Sequence, residues 1–110
     1  MGEFEQLVLL AILRLGNDAY GMEVRREIEQ RTDREVSIGA VYTALERLER
    51  KGFLRHRLGE PTAERGGRAK KHFRVLPAGI AAVEATRSAL QSMWDGLAPA
   101  DLRALGKRAR

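Results

Sequence analysis

The sequence predicts a mainly α-helical fold with one small β-hairpin. Apolar residues between positions 3 and 50 recur at helical spacing in three segments, and turn-forming residues separate these segments. Two short strand-like stretches follow the third segment and enclose a loop rich in glycine and arginine. Three helices followed by a basic hairpin predict a winged helix-turn-helix. A long helix after the hairpin predicts a C-terminal dimerisation element.

The first two helices are predicted from the spacing of their apolar residues. Residues 3–15 carry them at i, i+3, i+4, i+7, i+8 and i+11, and residues 16–18 (GND) end the helix with turn chemistry. Tyr20-Gly21 leads into the second helix, which residues 32–34 (TDR) break. The first two elements of a helix-turn-helix unit are therefore predicted before residue 35.

The third helix, opened by Ser37 as N-cap, has one apolar stripe with spacings of 3, 4 and 3 residues. The stripe consists of Ile38, Val41, Leu45 and Leu48. The opposite face of its N-terminal half is small or hydroxylic, as expected where a helix lies close against another surface. Recognition helices of this kind enter the DNA major groove with their N-terminal part. The expected DNA contacts of this helix are Ser37, Gly39, Ala40, Tyr42, Thr43 and Arg47.

Each of these side chains has a specific expected role. Ser37 would cap the helix and donate to a phosphate, and Thr43 would contact a base edge or a thymine methyl group. Tyr42 would place its hydroxyl on a phosphate or pack in the core. Arg47 would reach a phosphate or a guanine, or form a salt bridge with a nearby acid.

The positive charge of the chain is concentrated after this helix. Residues 50–74 hold nine Lys or Arg and two acids, a net charge of +7, whereas the rest of the chain is at −2. A local basic segment on a nearly neutral body indicates a polyanionic partner, and a solvated surface loop is the alternative. The residues expected to hold DNA phosphates from this hairpin, between strands at 53–58 and 70–76, are Arg65, Arg68, Lys70 and Lys71.

The last long helix is predicted over residues 77–96, and a short one begins at Pro99. Large apolar residues with spacings of 3 and 4 form a seam of coiled-coil type, which Arg87 interrupts. Trp94 would either stack on a flat aromatic effector or pack in a subunit interface. The expected domains are residues 1–76 for DNA binding and 77–110 for dimerisation. The expected interface residues are Ile80, Val83, Leu90, Trp94 and Leu97.

The composition argues against several other classes of protein. The chain has no cysteine, so disulfides and thiolate chemistry are excluded. His56 and His72 could face each other across the hairpin, but a third ligand is lacking, so no metal or other cofactor is expected. No apolar run suits a membrane span, no leader is recognisable, and no acidic pair suits catalysis. We therefore expect a cytoplasmic protein that is not an enzyme.

The third helix and its surroundings resemble the PadR family of bacterial transcriptional regulators. The family pattern, close to S-x-G-T-L-Y-P-x-L-x-R-L-E-x-x-G, is matched over residues 37–52, and Tyr20-Gly21 matches the YG of its second helix. The resemblance covers roughly residues 4–80, and the single C-terminal helix is typical of a short subgroup. Ala40 and Thr43 stand where the family usually has Thr and Pro, so no operator sequence is carried over.

The resemblance implies a homodimeric, ligand-responsive repressor that binds a pseudo-palindromic operator and dimerises through its C-terminal helix. The alternative is a winged-helix module that binds an acidic protein through the same surface, without specific DNA binding. Binding to duplex DNA that depends on both salt and sequence would distinguish the two.

Overall fold

The computed structural model describes residues 1–60 and 69–109, and within these ranges it contains five helices and one two-stranded antiparallel sheet. The predicted fold class, mainly α with a hairpin after the third helix, is confirmed. The elements are α1 (Glu3–Arg14), α2 (Gly21–Thr32), α3 (Ile38–Arg50), β1 (Leu54–Leu58), β2 (Lys71–Val75), α4 (Pro77–Trp94) and α5 (Pro99–Arg108).

One hydrophobic core joins α1, α2 and α3 to the hairpin. The predicted stripe of α3 points into it, and Val41, Leu45 and Leu48 are fully buried while Ile38 packs at its edge. At about 25 cal/mol per Å² of buried apolar surface, such side chains supply most of the stabilisation of so small a domain. The other large side chains that are fully buried are Val8, Leu9, Ile12 and Val24.

The chain turns sharply from α3 into β1. Gly52 adopts a left-handed φ of 81°, its N–H donates to Glu49 O at 3.0 Å, and Phe53 N–H donates to Leu48 O at 3.0 Å. This pair of bonds is a Schellman motif, which favours glycine because a Cβ is strained at such a φ. The turn therefore fixes the direction of the hairpin relative to α3.

The hairpin pairs Leu54 with Val75 and His56 with Phe73. Its inner face buries Leu54, Phe73 and Val75. Ala19 forms an isolated β-bridge with Phe73 through two hydrogen bonds, at 2.8 and 3.1 Å. Both strands are shorter by one or two residues than predicted. The predicted glycine-rich tip at residues 61–68 lies outside the described residues.

The two halves of α4 have different surroundings. Its first half packs against the core, where Val83 is buried and Ile80 is partly buried. Its second half is exposed, and α5 leaves every side chain at least partly accessible. The predicted interface seam is therefore not uniform, because Val83 already belongs to the core of its own chain. The helix also ends at Trp94, two residues earlier than predicted.

None of the helices in residues 1–60 and 69–109 combines the length and the apolarity needed to cross a membrane.

Candidate DNA interface

The N-terminal half of α3 is capped and exposed, as the sequence predicts. Ser37 Oγ accepts a hydrogen bond from Ala40 N at 3.1 Å, so the predicted N-cap is confirmed. Gly39, Ala40 and Thr43 all lie at the surface. The backbone of this helix start can therefore approach a flat or grooved partner without bulky side chains intervening.

Tyr42 packs against the start of α2 rather than in the core. A Cβ built on Gly21 would lie 2.7 Å from Tyr42 Cζ and 2.9 Å from its hydroxyl oxygen, so only glycine fits there without a shift. The side chain remains 40% exposed. Its hydroxyl thus lies beside the first turn of α2, where free backbone N–H groups and the helix dipole favour an anion. The resemblance to the YG motif has its physical reason in this contact.

Arg47 lies with Ala40 and Thr43 along a shallow groove whose other side is the start of α1, Gly2–Glu5. Within residues 1–60 and 69–109, no carboxylate lies within 4.0 Å of the Arg47 guanidinium. The alternative of an internal salt bridge is therefore not found in the described part of the chain. Its charge remains available to a partner.

Glu5 in this groove is engaged by another cation. Lys51 Nζ donates to Glu5 Oε1 and Oε2 at 3.0 and 3.2 Å, and Gly2 N–H donates to Oε1 at 3.3 Å. Burial by itself would raise the pKa of Glu5, but these bonds and the Lys51 charge outweigh it, so the pKa lies below its usual value. The pair ties α1 to the C-terminus of α3 and neutralises one acid beside the candidate interface.

The loop end of β2 adds positive charge next to α2. Lys70 and Lys71 are exposed, and Lys70 Nζ lies 4.2 Å from the centre of the Tyr20 ring. This cation–π contact places an ammonium group beside the start of α2. Arg65 and Arg68, the other two predicted contacts of the hairpin, lie outside the described residues.

The two histidines do not face each other, so that expectation is wrong. The strand register pairs His56 with Phe73 and His72 with Arg57, and paired residues share one face of a sheet. His56 Nδ1 lies 2.8 Å from Glu49 Oε2 and links β1 to α3. His72 lies on the opposite face, edge-on to the Tyr20 ring.

The structure also reveals three arginines that the sequence analysis counted but did not assign. Arg55, Arg57 and Arg74 lie together with His72 on the outer face of the hairpin. The signal is present in the sequence, since side chains alternate between the two faces of a strand. Arg55 and Arg57 are two residues apart on β1, and His72 and Arg74 are two residues apart on β2. The sequence alone does not assign them to one surface, because it does not fix the register of the two strands.

A second candidate site lies far from α3, between α1 and the exposed half of α4. It is an apolar groove of about 720 Å³. Trp94 and Leu90 line it on α4, and Leu10 and Leu13 line it on α1. Arg87 and Asp95 provide charges at its rim. Trp94, 57% exposed, thus lies beside a space large enough for a small molecule or for a helix of another subunit.

Solved structures share this fold at low sequence identity. A PadR family transcription regulator from Clostridium difficile R20291 superposes with a TM-score of 0.70 at 20% identity, over 84% of this chain and 91% of the other. A transcriptional regulator from Clostridium thermocellum gives 0.69 at 21%, over 96% and 92%. F93 from STIV, a winged-helix DNA-binding protein, gives 0.68 at 19%, over 87% and 96%. No match was found among curated proteins.

The sequence itself matches the model of one protein family. The match is to the transcriptional regulator PadR-like family and covers residues 9–85, well over half of the chain. These residues include α2, α3, both strands and the first half of α4, so they contain the capped helix and the base of the hairpin. The chain belongs to the transcriptional regulator PadR-like family.

Proposed function

We propose that this regulator is a ligand-responsive repressor that binds a pseudo-palindromic operator as a homodimer. The observation that carries the proposed DNA binding is the N-terminal half of α3, which is capped by Ser37 and exposes the small residues Gly39, Ala40 and Thr43. Such a helix start can enter the major groove with its backbone close to the base edges. Thr43 is the side chain best placed to discriminate bases, because it lies on the exposed face two residues from the buried Val41.

Phosphate contacts beside α3 would fix its orientation. The Tyr42 hydroxyl and the first turn of α2 would form one such contact site, and Lys70 and Lys71 at the loop end of β2 would form another. These groups surround the helix start on the side of α2. They would supply affinity that is independent of sequence, as backbone contacts generally do.

Dimerisation is proposed to occur through the exposed half of α4. Leu90, Trp94 and Leu97 are large apolar side chains that remain 51%, 57% and 44% exposed in the single chain. Leu90 and Trp94 line one apolar groove together with Leu10, and a second subunit would cover it. Two chains related by a two-fold axis would present two copies of α3 to successive major grooves.

Ligand response is proposed to act through the same surface. A flat effector beside Trp94 would stack on the indole ring and change how the two copies of α4 pack. That change would alter the separation of the two recognition helices and hence the affinity for the operator. A coupling of about 1–3 kcal/mol is typical of such linked sites.

Selection of duplex fragments by the purified protein, followed by footprinting, tests the proposal. We expect a pseudo-palindrome whose half-sites lie about 34 Å apart, one turn of the double helix. Thr43→Ala should shift the preferred base at one position of each half-site by about 1 kcal/mol or more. Gln30→Ala, on the exposed face of α2, is the matched control and should leave the selected sequence unchanged.

Two results would contradict the proposal in different ways. Protection of one asymmetric half-site by a single chain would exclude the symmetric dimer. Duplex binding that depends on salt but selects no sequence would instead favour the winged-helix interaction module, whose partner is an acidic protein.

A further inference from the structure

Three arginines of the basic segment lie away from the recognition helix. Arg55 and Arg57 project from one face of β1, and Arg74 projects from the same face of β2, because Arg55 pairs with Arg74 and Arg57 with His72. The other face of these strands buries Leu54, Phe73 and Val75 against the core. We call the surface formed by Arg55, Arg57, His72 and Arg74 the outer hairpin face. None of the DNA contacts proposed above uses it.

Two of these charges face each other without compensation from the described part of the chain. Arg55 is directly opposite Arg74, and like charges at such a pair destabilise a sheet. Within residues 1–60 and 69–109, no carboxylate lies within 4.0 Å of either guanidinium, whereas Arg57 is paired with Asp18 at 2.8 Å. Two adjacent guanidinium groups offer their N–H donors to an oxyanion that would remove the repulsion.

The loop between α1 and α2 makes this surface concave. Asn17 and Asp18 form the wall of a cleft of about 380 Å³ above the arginines. The wall is held firmly, since Asn17 Oδ1 accepts from Val75 N at 2.6 Å and Asn17 Nδ2 donates to Val75 O at 3.2 Å. His72 Nδ1 is buried in the cleft and makes no hydrogen bond with the described residues. The nearest carboxylate oxygen, Asp18 Oδ1, lies 3.7 Å from it, beyond hydrogen-bond distance.

A chain of contacts connects the outer hairpin face to α3. His72 lies edge-on to the Tyr20 ring, with centroids 5.7 Å apart, and Lys70 Nζ lies over the same ring. Tyr20 immediately precedes Gly21, against which Tyr42 of α3 packs. Through Tyr20, this chain of contacts connects the start of the recognition helix with Lys70 and with the outer hairpin face, where the acid Asp18 is paired with Arg57.

We propose that the outer hairpin face binds the phosphate backbone of the DNA that flanks each operator half-site, with Arg55 and Arg74 as the charged contacts. The proposal rests on the proposed DNA binding and extends it to a longer footprint. Duplex DNA carries one negative charge for about every 1.7 Å of its axis, so DNA that continues past α3 would offer phosphates to Lys70 and then to the outer hairpin face. The charges of Arg55 and Arg74 complement a phosphate backbone, and Lys70 over Tyr20 connects this face with the proposed interface.

Binding to two duplexes of different length tests this. One duplex ends at the edges of the selected operator, and the other carries a further helical turn, about 10 bp, on each side. We expect wild-type protein to bind the longer duplex more tightly. In R55Q/R74Q this advantage should disappear, and the slope of log K against log salt on the longer duplex should fall by about 0.9 for each arginine in contact. On the shorter duplex the variant should match the wild type.

Two control variants make the result specific. R55K/R74K keeps both charges and should retain the length advantage and the salt slope. Arg103→Gln removes an exposed charge from α5 and should change neither. Thermal melting of R55Q/R74Q should show no loss of stability, because the substitutions remove a repulsion from an exposed face.

Each contrary outcome has a distinct meaning. Operator binding with equal length advantage and equal salt slope in R55Q/R74Q would overturn the flanking contact and leave the proposed function standing. If wild-type protein selected no duplex at all, both proposals would fail. If inorganic phosphate bound wild type but not R55Q/R74Q without DNA present, and the length advantage were absent, the cleft would be a small-anion site and the DNA assignment would be wrong.

Discussion

The helix–hairpin body and the C-terminal arm of this chain differ in how much of their apolar surface a single subunit buries. The body, α1 to β2 with the first half of α4, closes a continuous core that includes Leu9, Leu45 and Phe73. The arm, residues 84–109, leaves Leu90, Met93, Trp94 and Leu105 more than half exposed. The body thus buries most of its large apolar side chains within one chain, while the arm leaves apolar surface that the described residues do not cover.

The point of change lies within one helix. Val83 is buried and Leu90, two turns further along the same stripe, is 51% exposed. The stripe itself keeps its spacing of 3 and 4 residues through Arg87. The first part of the stripe thus packs in the core of its own chain, and the second part lines an uncovered groove. Substitutions on the two sides of this point should have different physical signatures.

The largest effect is expected from the core of the body. Leu45→Ala removes a fully buried side chain and should lower the free energy of unfolding by about 2–5 kcal/mol. Urea denaturation at two protein concentrations measures this, and the loss should be the same at both. A loss below about 1 kcal/mol would mean that the core tolerates a cavity there, contrary to the closed packing of α3.

The next effect is expected in the arm. Leu90→Ala should cost about 2 kcal/mol of dimer stability, near the low end for Leu→Ala because half of its surface is already covered in the single chain. Its effect on the melting temperature should vary with protein concentration, since the substitution acts on association. The effect of Leu45→Ala should not. Sedimentation provides the direct check. Wild-type protein that stays monomeric at micromolar concentration would contradict the proposed dimer and its switch.

The division between body and arm also marks how far sequence reasoning reaches. The order of the elements follows from local signals: the Ser37 cap, the apolar stripe of α3 and the turn at Gly52. These depend on neighbours along the chain, so spacing alone predicts them. The stripe of α4 is equally clear in the sequence, but its spacing does not state which subunit covers which residue. Val83 was therefore assigned to an interface although it lies in the core.

The candidate site shows the same limit. Exposure of Gly39, Ala40 and Thr43 was predictable because they oppose the stripe of α3. The packing of Tyr42 on Gly21 was not, because it joins two helices and depends on their separation. Arg55 and Arg74 face each other only in this strand register. The sequence does not fix the register, because it does not fix where the loop between the strands begins and ends. Contacts between elements, rather than the elements themselves, are what the sequence leaves undetermined.

A smaller effect is expected where the body meets the candidate interface. Gly21→Ala would put a Cβ 2.7 Å from Tyr42 Cζ, so the exposed ring should swing outward, at a cost of about 1 kcal/mol in stability. Operator affinity should also fall, since the hydroxyl leaves its place beside α2. In Gly21→Ala/Tyr42→Ala the two changes should not add, because the second removes the group that the first displaces. Strictly additive losses in urea denaturation would refute the proposed contact.

The smallest effect concerns the ion pair between α1 and the end of α3. The pKa of Glu5 is lowered in the folded chain, so its ionised form stabilises the fold above the pKa of the unfolded state, and that stability is lost as the pH falls through the lowered value. Lys51→Met should therefore cost about 0.2–1 kcal/mol at neutral pH, and the difference from wild type should shrink below about pH 5. Lys107→Met removes an exposed charge from α5, and within the described residues no carboxylate lies within 4.0 Å of Lys107. This control should show no such pH dependence. A cost for Lys51→Met that stayed constant down to acidic pH would mean that its aliphatic stem, and not the ion pair with Glu5, holds α1 against α3.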